Sequence, residues 1–188
     1  MTVSAPRWDL TNVYPTLDSK QFKNAVKKYK SLLDDFDVYF RKIANADSKT
    51  DPKKLGKILG ESVDRFNTLL ELSGTLEPYI YSFVSTDSRN KEAMRALSEF
   101  EQMSVQMNVL STKFRAWAGK LGKPAIRKAV KTNASAKAHE FILLEAAEQS
   151  KYLMSEAEEM LAAELTLSGG NAFGKLQGTV TSQMTVDF

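Results

Sequence analysis

Cysteine is absent from this chain of 188 residues, and histidine occurs once, at His139. The first absence removes disulfides, thiolate nucleophiles and Cys-based zinc or iron–sulfur sites. The second nearly excludes a multi-histidine metal site. His139 stands beside Glu140, but a zinc-peptidase helix needs a second histidine four residues after the first, one turn along the same face, and that position is Leu143. The pair therefore reads as structural or solvated. Phosphate-cradling loops are missing too: Gly169, Gly170 and Gly174 lack the spacing and the preceding strand that such loops need. No Gly-x-Ser-x-Gly elbow occurs. No run of about 18 apolar residues exists to cross a membrane, and Met1–Arg7 has no apolar stretch of a secretory signal. The net charge of +3 is too small to argue for nucleic acid. No aromatics are interleaved among Lys120–Lys137, so a base-stacking platform is not supported.

What is present is helical periodicity. Apolar residues make up 43% of the chain, enough for a core, and charged residues make up 26% with both signs mixed. The centre of the chain, Asp51 to Leu121, reads as two long amphipathic helices joined by a short turn. Leu55, Ile58, Leu59, Val63, Phe66, Leu69, Leu70, Leu76, Ile80, Phe83 and Val84 mark the first stripe. Met94, Leu97, Phe100, Met107, Leu110, Phe114, Trp117 and Leu121 mark the second, again in steps of three and four. Asp51-Pro52 supplies an N-cap acceptor followed by proline at the first helical position. A helix from there to Val84 would be roughly 50 Å long at about 1.5 Å per residue, with a kink expected one turn before Pro78. Asp87 or Ser88 is the expected cap of the second helix.

Around this hairpin, Asp18 reads as an N-cap with Gln21 as its capping-box partner, opening a helix to about Ala46. Phe22, Val26, Tyr29, Leu33, Phe36 and Phe40 form its buried stripe, and Lys20, Lys23, Lys27 and Lys30 form a solvated face. Gly122-Lys123-Pro124 breaks the chain after the hairpin, and Ala125–Lys131 is a short helix or irregular. One helix is expected from about Ala136 to Leu153, with Phe141, Leu144 and Ala147 or Glu148 giving a weaker inward stripe. Ser155-Glu156-Ala157-Glu158 is a capping box that starts another helix, to about Thr166. A glycine turn and a last helix near Asn171–Gln183 follow, with Met184 to Phe188 read as extended. The fold class is all-α: a long antiparallel hairpin with further helices packed on it, residues 18–188, preceded by an extended arm, residues 1–17.

Chemistry-bearing clusters are few. Asp34, Asp35 and Asp37, and Glu156, Glu158 and Glu159, fall on helix surfaces or first turns, where carboxylates serve the helix. Met94, Met103 and Met107 lie in a helix stripe and read as core. Charge is uneven, however. From Gln102 to His139 there is no acid, while Lys113, Arg115, Lys120, Lys123, Arg127, Lys128, Lys131 and Lys137 fall there. Glu140, Glu145, Glu148, Glu156, Glu158, Glu159 and Glu164 follow, with Lys151 the one base among them. Either the two blocks neutralise each other within the domain, or the basic one attracts an anionic ligand or a carboxylate terminus.

Two stretches carry a family resemblance. Arg7-Trp8-Asp9-Leu10 with Tyr14-Pro15 resembles the R-W-D-L-x-x-L/V-Y-P opening of the oligoendopeptidase F family of zinc metallopeptidases. Tyr152-Leu153-Met154-Ser155-Glu156-Ala157-Glu158-Glu159 is similar to that family's Leu-Ser-Glu segment, and Gly170–Leu176 with Thr181-Ser182-Gln183-Met184 is similar to the segment after it. The chain departs from the pattern at Met154, and Phe173 stands where tryptophan is common. In order of elements the resemblance spans the whole chain.

The resemblance implies the non-catalytic N-terminal lobe of a cytoplasmic enzyme several times longer. Family members hydrolyse short oligopeptides in a cleft between helical lobes, at a zinc ion held by a His-Glu-x-x-His helix that lies beyond the positions matched here. No catalytic, cofactor-binding or metal-ligating residue carries over. Trp8, Asp9, Leu10, Tyr14 and Pro15 carry over as a structural arm. The implied partners are the catalytic domain of the same polypeptide and, in the full protein, oligopeptide substrates, with no nucleic acid and no membrane. The abrupt apolar end at Thr185-Val186-Asp187-Phe188 fits a chain that continues. The alternative is a standalone helical adaptor that binds a protein or peptide along the hairpin.

Overall fold

The computed structural model describes residues 9–185. Eight helices run along them: α1 Lys20–Ile43, α2 Pro52–Thr86, α3 Lys91–Leu121, α4 Lys123–Ala129, α5 Ala134–Ala138, α6 Glu140–Gln149, α7 Glu156–Ser168 and α8 Gly170–Thr181. Tight 3-10 turns at 130–132 and 150–152 follow α4 and α6. No strand occurs among the described residues, so the fold is all-α as the periodicity indicates.

Helix starts follow the side chains that satisfy the first free N–H groups. Asp51 accepts from the N–H of Lys53 and of Lys54 at 3.1 and 3.0 Å, with Pro52 next to it, so α2 opens as expected. The α1 cap is Ser19 rather than Asp18. Ser19 sits in extended backbone and accepts from the Phe22 N–H at 3.3 Å, while the Asp18 carboxylate turns to Lys23 at 2.9 Å. The α3 cap is Asn90 rather than Asp87 or Ser88. Asp87 is occupied by the Arg89 N–H at 2.9 Å, which delays the start until Asn90 can accept from Ala93 at 3.0 Å. At α7 the Ser155–Glu158 capping box is complete. α2 runs through Pro78 without interruption. Proline removes the donor for the Gly74 carbonyl, but both positions are exposed and water can take that role.

The α2–α3 hairpin carries two stretches of core. In one, Phe22, Tyr29, Leu33 and Phe36 of α1 meet Leu69, Leu76, Tyr79 and Ile80 of α2 and Leu97, Phe100 and Leu110 of α3. In the other, Leu55, Leu59 and Val63 of α2 and Phe114, Trp117 and Leu121 of α3 meet Ile126, Val130, Ala136 and Leu143 of the following short helices. Phe66 joins the two, edge-on to Phe36 at 4.6 Å and to Phe114 at 5.3 Å. The Trp117 indole donates to the Ala46 carbonyl at 2.8 Å, which ties the α1–α2 connection to the end of α3. The lysine face of α1 is exposed along its length.

The short helices approach α2 closely because two glycines on one of its faces let them. A Cβ on Gly56 would lie 2.5 Å from the Ala129 carbonyl oxygen, and one on Gly60 would lie 2.2 Å from Asn133 Oδ1. Asn133 in turn caps α5 through the Ala136 N–H at 2.9 Å.

The single helix expected from Ala136 to Leu153 is two. His139 leaves helical geometry at φ −110°, ψ 23°. Its Nδ1 lies 2.9 Å from the Ser135 carbonyl and its Nε2 lies 3.3 Å from the Asn67 amide, so the ring holds the corner between α5 and α6. The break re-phases the second helix. Leu143, Ala146 and Ala147 face the core, while Phe141, expected inward, is 78% exposed.

Candidate docking face and ligand cleft

Among the described residues no three His, Cys, Asp or Glu side chains gather as a metal-binding group. His139 is committed to the α5–α6 corner.

The arm lies partly within view. Trp8 falls outside the described residues. Asp9 accepts from the Thr11 N–H and hydroxyl at 2.9 and 2.7 Å, which holds its carboxyl below the ordinary value. Leu10 and Tyr14 pack on the α1–α2 core. The Tyr14 ring sits edge-on to Phe22 at 5.6 Å. Pro15 is exposed. The arm is a packing element, with its aromatic anchor at Tyr14.

α7 and α8 differ from every other long helix. Neither buries a described residue, although both carry apolar stripes. On α8 the stripe is Phe173, Leu176 and Val180, and Phe173 is 72% exposed. On α7 it is Leu161 and Leu165, also exposed. The face that α8 turns toward the hairpin is instead made of Asn171, Gly174, Lys175, Gly178 and Ser182. It is held there by polar contacts: Lys175 pairs with Glu101, and the Ser88 and Ser182 hydroxyls meet at 2.8 Å. An amphipathic helix has thus packed its polar side inward and left its apolar side in water. Exposed apolar surface that is contiguous, rather than scattered, marks a contact site.

Between α8 and the hairpin lies a groove of about 690 Å³, floored by Tyr81, Val84, Met94 and Leu97 and edged by serines and threonines. It falls in the usual size range of ligand pockets, about 300–1,000 Å³. A smaller cleft of about 200 Å³ continues from it between α3 and α7, and the two share Asn108, Ala163 and Thr166.

The two charge blocks meet in part. Lys123 and Lys151 reach Glu148 at 2.5 and 2.7 Å, which depresses its carboxyl from 4.5 to about 2. Lys137 pairs with Glu140, whose carboxyl is also lowered, with Lys131 and Arg127 contributing at longer range. Lys113 of α3 reaches Asp37 of α1 at 3.6 Å. Lys120, Arg127, Lys128 and Lys131 stay exposed with no acidic partner within 4.0 Å among the described residues. Neutralisation accounts for part of the basic block and leaves this surface cationic.

Sequence reasoning missed Gly56 and Gly60 as contact residues, although glycines one turn apart on one helix face were a usable signal. It also missed the inversion of α8, which no local pattern encodes.

Comparison with known proteins gives one match. Residues 119–185 match a family model described as Oligopeptidase F, for the N-terminal domain of those peptidases. The matched span covers the last residues of α3 and all of α4 to α8. It is narrower than the whole-chain resemblance and does not include the arm. No curated protein and no solved structure matches the chain.

Proposed function

From the match of residues 119–185 to a family model described as Oligopeptidase F, we propose that the chain serves as the access lobe of a longer zinc metallopeptidase. In that enzyme the lobe walls the cleft that admits short peptides and keeps folded proteins out. The observation that carries the reading is a coincidence of two findings. The matched elements include α7 and α8, and these are the helices whose apolar stripes face outward. A catalytic part of the same polypeptide is the partner that would cover them. Zinc belongs to that part, and this chain alone hydrolyses nothing. The compartment is the cytoplasm. No helix among the described residues is long and apolar enough to cross a membrane.

The deciding experiment is the intact mass of the native protein, detected in its source cells by an antibody against this chain. A species several times larger, with chelator-sensitive cleavage of quenched-fluorescence peptides, is expected. A native species near 21.0 kDa overturns the reading. The same holds for stoichiometric zinc and peptidase activity in the isolated chain. The groove beside α8 favours a second reading in that event, a helical adaptor that holds a peptide along the hairpin.

A further inference from the structure

Arg115 of α3 is half-buried beside the cleft that separates α3 from α7. Its Nε is closed off from solvent and has no hydrogen-bond partner among the described residues. One terminal nitrogen donates to Thr112 Oγ1, and that bond is long, at 3.4 Å. A guanidinium has donors only, so this Nε–H, closed off and unpaired, has lost hydration without replacing it, while the terminal nitrogens of the half-buried side chain line the cleft. Lys113 adds a second cation to the same wall, spent in part on Asp37 at 3.6 Å. Facing them on α7 is Glu159, whose Oε1 accepts from the Met154 N–H at 3.0 Å. α3 carries no acid from Gln102 onward.

We propose that the α3–α7 cleft is a carboxylate-binding site centred on Arg115, and that the carboxylate it takes is the C-terminus of a short peptide. The inference rests on the peptide-handling role proposed above and names the group this lobe would hold. Three features select that group. A carboxylate is a planar, acceptor-only anion that matches the guanidinium fork. Its single charge suits a site with Glu159 in the wall better than a phosphate dianion does. The cleft, at about 200 Å³, takes a chain end and no folded partner. The groove of about 690 Å³ that continues from it along α3 has room for the preceding residues.

The Arg115 Nε–H resonance in nitrogen-edited spectra of this chain is the direct readout. Trialanine with a free carboxylate, trialaninamide and acetate are the probes. The expected result is a saturable shift with trialanine and binding weaker by on the order of tenfold or more with the amide. Arg115→Lys keeps the charge, loses the fork and binds more weakly. Glu159→Gln removes the repulsion and binds more tightly. Four results overturn the site. One is no shift with trialanine, and another is equal binding of the amide. A third is equal binding of acetate, which marks an adventitious ion only. The last is an Nε–H signal that moves on Glu159→Gln without peptide, which shows that Glu159 already occupies the donor. The native-mass experiment reads separately. Trialanine binding by a protein that lives at 21.0 kDa keeps the site and sinks the lobe.

Discussion

The Tyr79 hydroxyl of α2 donates to the backbone carbonyl of Tyr14 at 2.9 Å, and the two rings meet edge to face at 5.1 Å. One residue of the hairpin thus holds the arm by its backbone and by its aromatic face. Tyr79→Phe keeps the ring contact and should cost about 1 kcal/mol. Tyr14→Ala removes both rings' contact and should cost about 2 kcal/mol, below the usual range for a fully buried aromatic because Tyr14 is half-buried. Amide exchange over residues 10–17 should rise in both variants while α3 stays protected. Uniform loss of protection would mean that the arm is part of the global unfolding unit.

Gly56 and Gly60 should resist alanine, against the helix propensity that favours it by about 1 kcal/mol. At Gly56 the obstacle is the Ala129 carbonyl, which is backbone and moves only with α4. At Gly60 it is the Asn133 side chain, which is holding the start of α5. Each substitution should lower stability by about 1–3 kcal/mol, read from denaturant midpoints. Gly74→Ala, on the same helix with nothing within 4 Å of its Cβ position, is the control and should be neutral or stabilising.

Glu148 makes part of the stability depend on pH. Its folded carboxyl titrates at about 2 rather than 4.5, because Lys123 and Lys151 bind the charged form. A depressed value means that the contribution is present above pH 4.5 and is lost as pH falls toward about 2. In Glu148→Gln the urea midpoint should fall less steeply across that window. An unchanged slope would show that water screens these exposed pairs.

Tyr39 works at the other end of the scale. Burial is the larger cause, and its hydrogen bond to Glu61 at 2.9 Å adds to it, so its hydroxyl is pushed up to about 12. A raised value means stability present below pH 10 and lost as pH rises through about 12. Alkaline absorbance titration should show a tyrosine ionising near 12 that is missing in Tyr39→Phe. That variant should also lose about 1–2 kcal/mol at neutral pH.

The apolar faces of α7 and α8 should be dispensable for folding. Leu165→Ser with Phe173→Ser should change the stability of this chain by no more than about 0.5 kcal/mol, since both side chains already stand in water. Binding of an apolar dye should drop. If the chain is the lobe of a longer enzyme as proposed, the same pair should impair its assembly with the catalytic part. A large loss of stability in the isolated chain would mean that these residues pack within this lobe.

Repeating steps of three and four in the sequence determined α1, α2 and α3, because an apolar stripe of that period has one way to be buried. Asp51-Pro52 and the Ser155–Glu158 box determined two helix starts, because caps act within one turn. The segments around Leu-Ser-Glu carried the family likeness that the match over 119–185 bears out. Tertiary structure decided what local pattern leaves degenerate. Ser19 won the α1 cap once Lys23 drew Asp18 away. Asn67, far along the chain, meets His139 at the corner that turned Phe141 outward. α8 was free to place either face inward, and Glu101 and Ser88 on the hairpin fixed the polar one there. Periodicity states that a face is apolar. Which surface covers it depends on groups brought together only by the fold.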